Sequence, residues 1–224
     1  MADDRLVTHN LLEMYGRNDW MMRLNFWFFL RLSGLIESPR CARIVDCGCG
    51  MGHLILMLHS YGFTRVSGLD ASPEMVQSAK KLTGAPIIHS DILEIEKHFE
   101  PESIDVLIVS DLFHHLSSID QWKKVLRAGG RVLKNEGILV IREPYPTIGL
   151  RLLYGMSHYR FFHVGFLRAR LRSFVQEDKL LKYFFAYWPQ NYKGLLTANG
   201  YQIIKDLNWL VHRITSCQKR RGDE

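Results

Sequence analysis

Between Arg43 and His53 the chain reads RIVDCGCGMGH, an apolar run that ends in an acid and then places glycine at positions 48, 50 and 52. Glycine weakens a strand and costs a helix about 1 kcal/mol per residue. Three of them in so short a stretch point to a turn whose backbone passes close to a ligand. Other polar signals recur at matching places. Asp70 closes the next apolar run, where a carboxylate can hold a ribose diol, and Asp91 follows a third. SDLFHHL, with Ser110, Asp111, Leu112, His114 and His115, follows a fourth run, and REPY, with Glu143 and Tyr145, follows a fifth. Such a set suits an adenosine cofactor. The dinucleotide fingerprint is G-x-G-x-x-G, with helix N-terminal amides facing a pyrophosphate. Here the glycines alternate and the acid Asp46 stands directly before them. An acid repels pyrophosphate and suits an ammonium or a sulfonium, so the turn favours S-adenosylmethionine over NAD.

The elements that must carry these residues alternate along the chain. Strands are expected at Arg43–Cys47, Val66–Leu69, Pro86–His89, Ile104–Val109 and Ile138–Ile141. Helices are expected at Met51–Ser60, from the Ser72-Pro73-Glu74 start to Leu82, and at Ile119–Leu133. Apolar strands alternating with helices imply an α/β fold, a parallel sheet covered on both faces, and ligands then bind beyond the carboxyl ends of its strands. Gly129-Gly130 inside the last helix should cost about 2 kcal/mol in propensity, which close packing or a kink would explain. Further on, Asn191–Ala198 reads as a short helix, and Tyr201–Leu207 and Val211–Cys217 read as two strands antiparallel to each other. Residues 11–36 read as apolar helix in two pieces closed by Gly34 and Pro39, and the QKRRGDE end as a disordered tail.

The 224 residues are enough for one sizeable α/β domain, with 47% hydrophobic and 23% charged residues, ordinary for a soluble protein. The acidic MADDRL start lacks the apolar core of a secretory signal. The apolar WMMRLNFWFFLRL is interrupted by Arg23, Asn25 and Arg31, too short for the roughly 20 residues of a membrane span. Four cysteines with no metal spacing favour a reducing, cytoplasmic setting, and no metal site is expected. The net charge of +6 is local: residues 146–193 hold eight Lys/Arg against two Asp/Glu, and 12 aromatics. Such a segment is either a solvated amphipathic cap or a surface for nucleic acid, anionic lipid or an acidic substrate.

The sequence resembles the class I S-adenosylmethionine-dependent methyltransferases. VDCGCGMG is similar to their first motif, LDASPEMV to the second, SDILEI to the third, IDVLIVSDLFHHL to the fourth and VLKNEGILVIREP to the fifth, where Asn135-Glu136-Gly137 replaces the usual Lys-Pro-Gly-Gly turn. The likeness covers residues 40–145 and, more loosely, 191–218. It implies a Rossmann-like, doubly wound seven-stranded sheet, mostly parallel with an antiparallel last strand. It also implies one domain: lid helices over 1–40, a cofactor-binding core over 41–145, a basic aromatic insertion over 146–190 between strands five and six, a C-terminal helix and strand pair over 191–218, and a tail over 219–224. Asp46, Gly48, Cys49, Gly50 and Gly52 would surround the methionine part of the cofactor. Asp70 would bind the ribose hydroxyls, with Ala71 and Ser72 beside the adenine. Asp91 would accept from the adenine amino group and the Ile92 backbone would donate to it. Ser110, Asp111 and Leu112 would border the sulfonium.

Methyl transfer is an in-line displacement that needs positioning and exclusion of water more than a base. His114, His115 and Glu143 are the candidates where a base is used. Tyr15, Trp20, Asn25, Phe26 and Trp27 of the N-terminal helix, Tyr145, and His158, Tyr159 and His163 of the insertion are candidates to line the acceptor. The aromatic lids point to a small-molecule acceptor, aromatic or lipid-like, methylated on oxygen or nitrogen. The alternatives are an RNA or protein methyltransferase that uses the basic insertion, a non-catalytic cofactor-binding scaffold, and a nicotinamide oxidoreductase. The last conflicts with the glycine spacing. Peripheral membrane contact and either a monomer or a homodimer fit the sequence.

Overall fold

The computed structural model describes residues 20–149, 152 and 178–220. Seven strands form one sheet in the order β3-β2-β1-β4-β5-β7-β6, with β1 at Arg43–Cys47, β2 at Arg65–Asp70, β3 at Ile87–His89, β4 at Ile104–Ser110, β5 at Leu133–Pro144, β6 at Tyr201–Trp209 and β7 at His212–Lys219. The first five pair in parallel, and β7 lies antiparallel between β5 and β6. This is the Rossmann-like arrangement expected, with the last strand reversed.

Helices cover both faces. α1 (Trp20–Ser33), α2 (His53–Ser60) and α3 (Pro73–Thr83) bury Phe29, Leu30, Leu54, Ile55, Leu58, Val76 and Ala79 against one face of the sheet. α4 (Ile119–Val132) and α5 (Asp178–Ala198) bury Trp122, Val125, Leu126, Phe184, Trp188, Tyr192 and Leu196 against the other. Strand β4 serves both layers. Val106 and Ile108 face the first, and Leu107 and Val109 the second, so it reads as an unbroken apolar run.

Local signals set the helix starts. Ser72 Oγ accepts from Met75 N at 3.3 Å, with Pro73 in the first turn, and Gly84 ends α3 at φ 65°. Helix α2 begins at His53, two residues after the expected start, because Gly52 precedes it at φ 84°.

Three expectations need correction. The short helix expected at Asn191–Ala198 is the end of a helix that begins at Asp178 and passes through Pro189. Strand β5 extends back to Leu133, with Glu136 at φ 64° in its Lys134–Gly137 stretch. Gln218 and Lys219, expected in a disordered tail, pair with β5 and β6, while residues 221–224 lie outside the described residues. Residues 11–19 of the expected N-terminal helix also lie outside them.

The glycine pair in α4 is a close-packing site. A Cβ on Gly129 would stand 2.9 Å from Leu107 Cδ2 and 3.3 Å from Tyr201 Oη, and that hydroxyl donates to Leu126 O at 2.9 Å. At Gly130 the nearest atom would be Tyr201 Oη at 3.4 Å, an ordinary contact. Alanine gains about 1 kcal/mol of helix propensity at either position, whereas overpacking costs about 1–3 kcal/mol. Gly129→Ala is therefore expected to destabilise and Gly130→Ala to be neutral or stabilising. Urea unfolding midpoints of the two variants check the pair, and equal shifts would remove the packing explanation.

Candidate functional site

The sheet order reverses between β1 and β4, whose chains leave in opposite lateral directions, so a crevice opens beyond their carboxyl ends. The glycine turn, the ends of β2, β3, β4 and β5, and the start of β7 all meet there.

Gly48, Gly50 and Gly52 have φ of 71°, 52° and 84°, in the region L side chains avoid. Gly48 and Cys49 both donate backbone N–H to Leu69 O, at 2.7 and 3.1 Å, which pins the turn to the end of β2. The three positions then differ in use. A Cβ on Gly50 would meet no atom within 4 Å, so this backbone borders open space. A Cβ on Gly48 would stand 3.1 Å from Leu112 Cδ1, and one on Gly52 would strike Thr83 Cγ2 at 2.7 Å, so Gly52 serves packing against α3. The Cys49 side chain lies in the core, against Gly68: a Cβ there would stand 2.7 Å from Cys49 Sγ. Only the Cys49 backbone is placed to face a ligand. Burial pushes the Cys47 and Cys49 thiols up, which keeps them protonated and inert.

Asp70 ties the turn to the loop after β2. Its Oδ2 accepts from Gly50 N at 2.8 Å and its Oδ1 from Ser72 N at 2.9 Å. A carboxylate has about four acceptor positions, so these two bonds leave capacity for a diol. His89 Nε2 lies 3.0 Å from Ala71 O and braces the same loop from the end of β3. Asp91 Oδ1 accepts from Leu93 N at 2.9 Å and caps the 3-10 turn Ile92–Lys97. The Ile92 side chain is in the core, so its main chain alone is placed to bind.

Asp46 is 2% exposed. Burial, and then Asp70, push its carboxyl up to about 8; Arg142 opposes the rise and Asp111 adds to it. A buried acid of this kind accepts a cation readily. Asp111 has φ 55°, which strains a residue that is not glycine. Its N–H donates to Arg142 O at 2.7 Å. Its carboxylate takes a hydrogen bond from Arg142 Nη2, another from Ser110 Oγ at 3.2 Å, and lies 3.1 Å from His212 Nε2. Burial pushes the Asp111 carboxyl up, but Arg142 and His212 outweigh it and hold it well below its usual range. The Arg142 guanidinium also lies over the rings of Phe26 and Phe29, at 5.3 and 5.4 Å, which is how α1 reaches the site.

Glu143 and His114 are 1% and 4% exposed. Glu143 Oε1 accepts from Leu112 N at 2.7 Å and Phe113 N at 2.6 Å, and Oε2 lies 2.7 Å from His114 Nδ1. The neighbouring His115 keeps an exposed face. Burial of the rest of its ring, followed by His114, pushes the His115 imidazole down to about 3. At neutral pH it is an uncharged, weakly basic group.

The other expected acceptor residues are scattered. Tyr145 lies under the Arg213 guanidinium at 4.6 Å, and Arg213 is paired with Asp206, which Tyr192 and Lys193 also hold. Asn25 is half-buried beside Phe26. Trp27 lines a groove with Arg23, Leu24, Met57, Ser60 and Tyr61, at the end of α2 opposite Gly52. Tyr15, Tyr159, His158 and His163 lie outside the described residues, as does the Trp20 side chain. Sequence reasoning missed Arg142, His212 and Gly68. A charge inside the apolar ILVIREP run is the one signal that marked Arg142.

Residues 45–141 match the sequence profile of the family described as a methyltransferase domain. The chain is 30% identical over 101 residues to trans-aconitate 2-methyltransferase of Rhizobium rhizogenes, covering 42% of this chain and 38% of that one. It is 30% identical over 119 residues to glycine/sarcosine N-methyltransferase of Aphanothece halophytica, covering 51% and 43%. It thus spans about two fifths of the length of the curated relatives it matches. Among solved structures, magnesium protoporphyrin IX methyltransferase from Synechocystis PCC 6803 with bound S-adenosylhomocysteine has a TM-score of 0.63 and 15% identity, over 95% of this chain and 93% of that one.

Proposed function

Residues 45–141 belong to the class I S-adenosylmethionine-dependent methyltransferases, and from that premise we propose that the protein methylates an oxygen or nitrogen atom of a small-molecule acceptor. The observation that carries the cofactor half is the Asp70 bridge between Gly50 and Ser72, beside a turn with open space at Gly50. Those residues fit the cofactor: an acid for the diol, a glycine backbone for close approach, and buried Asp46 for the ammonium. When bound, S-adenosylmethionine supplies a methyl group activated on a sulfonium.

The protein's own part is positional. Asp70 orients the ribose, Asp91 and the Ile92 backbone the adenine. Leu112 closes over Gly48, and Asp111 presents its fenced carboxylate at the end of β4. The acceptor lies over the ends of β4, β5 and β7, on the side that α1 reaches through Arg142. Holding donor and acceptor in line supplies most of the acceleration for such a displacement. The cytoplasm is the proposed setting, in keeping with four free thiols, and among the described residues no helix is long and apolar enough to cross a membrane.

Calorimetric titration with S-adenosylhomocysteine tests the reading. Micromolar binding with no signal from NAD is expected. Binding of NAD alone would replace the methyltransferase with an oxidoreductase. Methyl incorporation from labelled S-adenosylmethionine into RNA, and into no small acceptor, would replace the acceptor class.

A further inference from the structure

Glu143 stood among the candidate bases, yet its surroundings describe a different task. A carboxylate buried to this degree must be fully paired, and its three partners all belong to one loop. Leu112 N and Phe113 N converge on Oε1, and His114 Nδ1 meets Oε2. With the carboxylate accepting, the Nδ1 proton sits between ring and acid, which fixes the His114 tautomer. The grip continues to the glycine turn, because the side chain of Leu112 packs on the Gly48 backbone. Glu143 itself is fixed by β5, paired with Arg213 of β7 in the sheet register.

Two further contacts hold the loop from its other side. Trp122 Nε1 donates to Phe113 O at 2.9 Å, and Trp188 lies 4.8 Å from the Phe113 ring. These contacts are single or non-directional. Glu143 meets three successive residues with directional, charge-assisted bonds.

We propose that Glu143 is a positioning residue for methyl transfer. Its carboxylate sets the backbone of Leu112 and Phe113 and the tautomer of His114, and through Leu112 it sets how the loop closes on the cofactor at Gly48. It takes no proton from the acceptor. This rests on the methyltransferase reading above, since the loop borders the donor sulfonium only if that cofactor binds.

The test uses the whole protein and S-adenosylhomocysteine, and needs no acceptor. Glu143→Ala removes all three bonds and is expected to weaken binding about 10-fold or more. It should also shift the emission of Trp122 and Trp188. Glu143→Gln keeps an oxygen for the two backbone amides but turns an N–H toward His114. It is expected to bind within about threefold of the parent, with the His114 ring proton moved from Nδ1 to Nε2 in nitrogen-15 spectra. Parent-like binding by the alanine variant overturns the proposal. So does an unchanged His114 tautomer in the glutamine variant, which also decides the matter if the alanine variant does not fold. Failure of the parent itself to bind S-adenosylhomocysteine overturns the methyltransferase reading, and this proposal with it.

Discussion

Replacing Asp70 with alanine is expected to lower the affinity for S-adenosylhomocysteine by about 100-fold or more. Two sources add. A ribose diol donating to a carboxylate makes two charge-assisted hydrogen bonds, each worth about 1.5–3 kcal/mol, together about 10²–10⁴ in Kd. The same carboxylate also accepts from Gly50 N and Ser72 N, so its loss frees the glycine turn from the loop after β2. Asp70→Asn separates the two, because its carbonyl oxygen still accepts from one of those amides while the charge is gone. An intermediate affinity is expected there. Calorimetry on the three proteins, with melting temperatures to confirm folding, makes the comparison. Parent-like binding by the alanine variant would falsify the ribose role.

The second large effect is one of pH and stability at Asp46. Burial and Asp70 are the main causes that raise its carboxyl from an ordinary 3.8 to about 8. Between those values the folded protein keeps a proton that the unfolded chain has released. Stability therefore falls as pH rises through that window, at about 1.4 kcal/mol per pH unit, and the effect is complete above the folded value. Asp46→Asn has no such proton to lose. It is expected to gain on the parent from pH 5 to pH 8 in urea unfolding, and to be the more stable protein at pH 8. The gain has a functional cost. A bound ammonium favours the ionised acid, so the parent should release a proton on binding S-adenosylhomocysteine at pH 7. The variant should bind more weakly and release none. Calorimetry in buffers of different ionisation enthalpy counts that proton. Parallel stability curves for the two proteins would sink the assignment of a protonated Asp46.

Much of the cofactor side was legible in the sequence because it is local. A glycine turn needs its own residues, and Ser72-Pro73-Glu74 caps its own helix, so the spacing alone locates them. The ends of the first five strands followed from apolar runs bounded by acids. What escaped depends on which strands become neighbours. His212 reaches Asp111 because β7 inserts between β5 and β6, a register with no trace in the spacing of His212 from residue 111. Gly68 lies inside β2 with nothing local to require a glycine, and the bulk of Cys49 explains it only in three dimensions. The long helix α5 had a legible stripe, Phe184, Trp188, Tyr192 and Leu196 at four-residue steps, all buried. Pro189 masked it, since proline in a helix interior removes a hydrogen bond and usually marks a break. The packing of that stripe on Trp122 and Phe113 outweighs the loss.

That stripe also decides where the protein can be recombined. A chimera that exchanged residues 146–190 for the corresponding segment of another chain would cut α5 between Trp188 and Tyr192, whose rings stack at 5.5 Å. It would also remove the two rings that support Phe113 and His114. An exchange that stops before Asp178 leaves the stack whole. The boundary at residue 190 therefore belongs before α5, at Asp178. Phe184 and Trp188 then remain with the Phe113 and His114 rings they pack against.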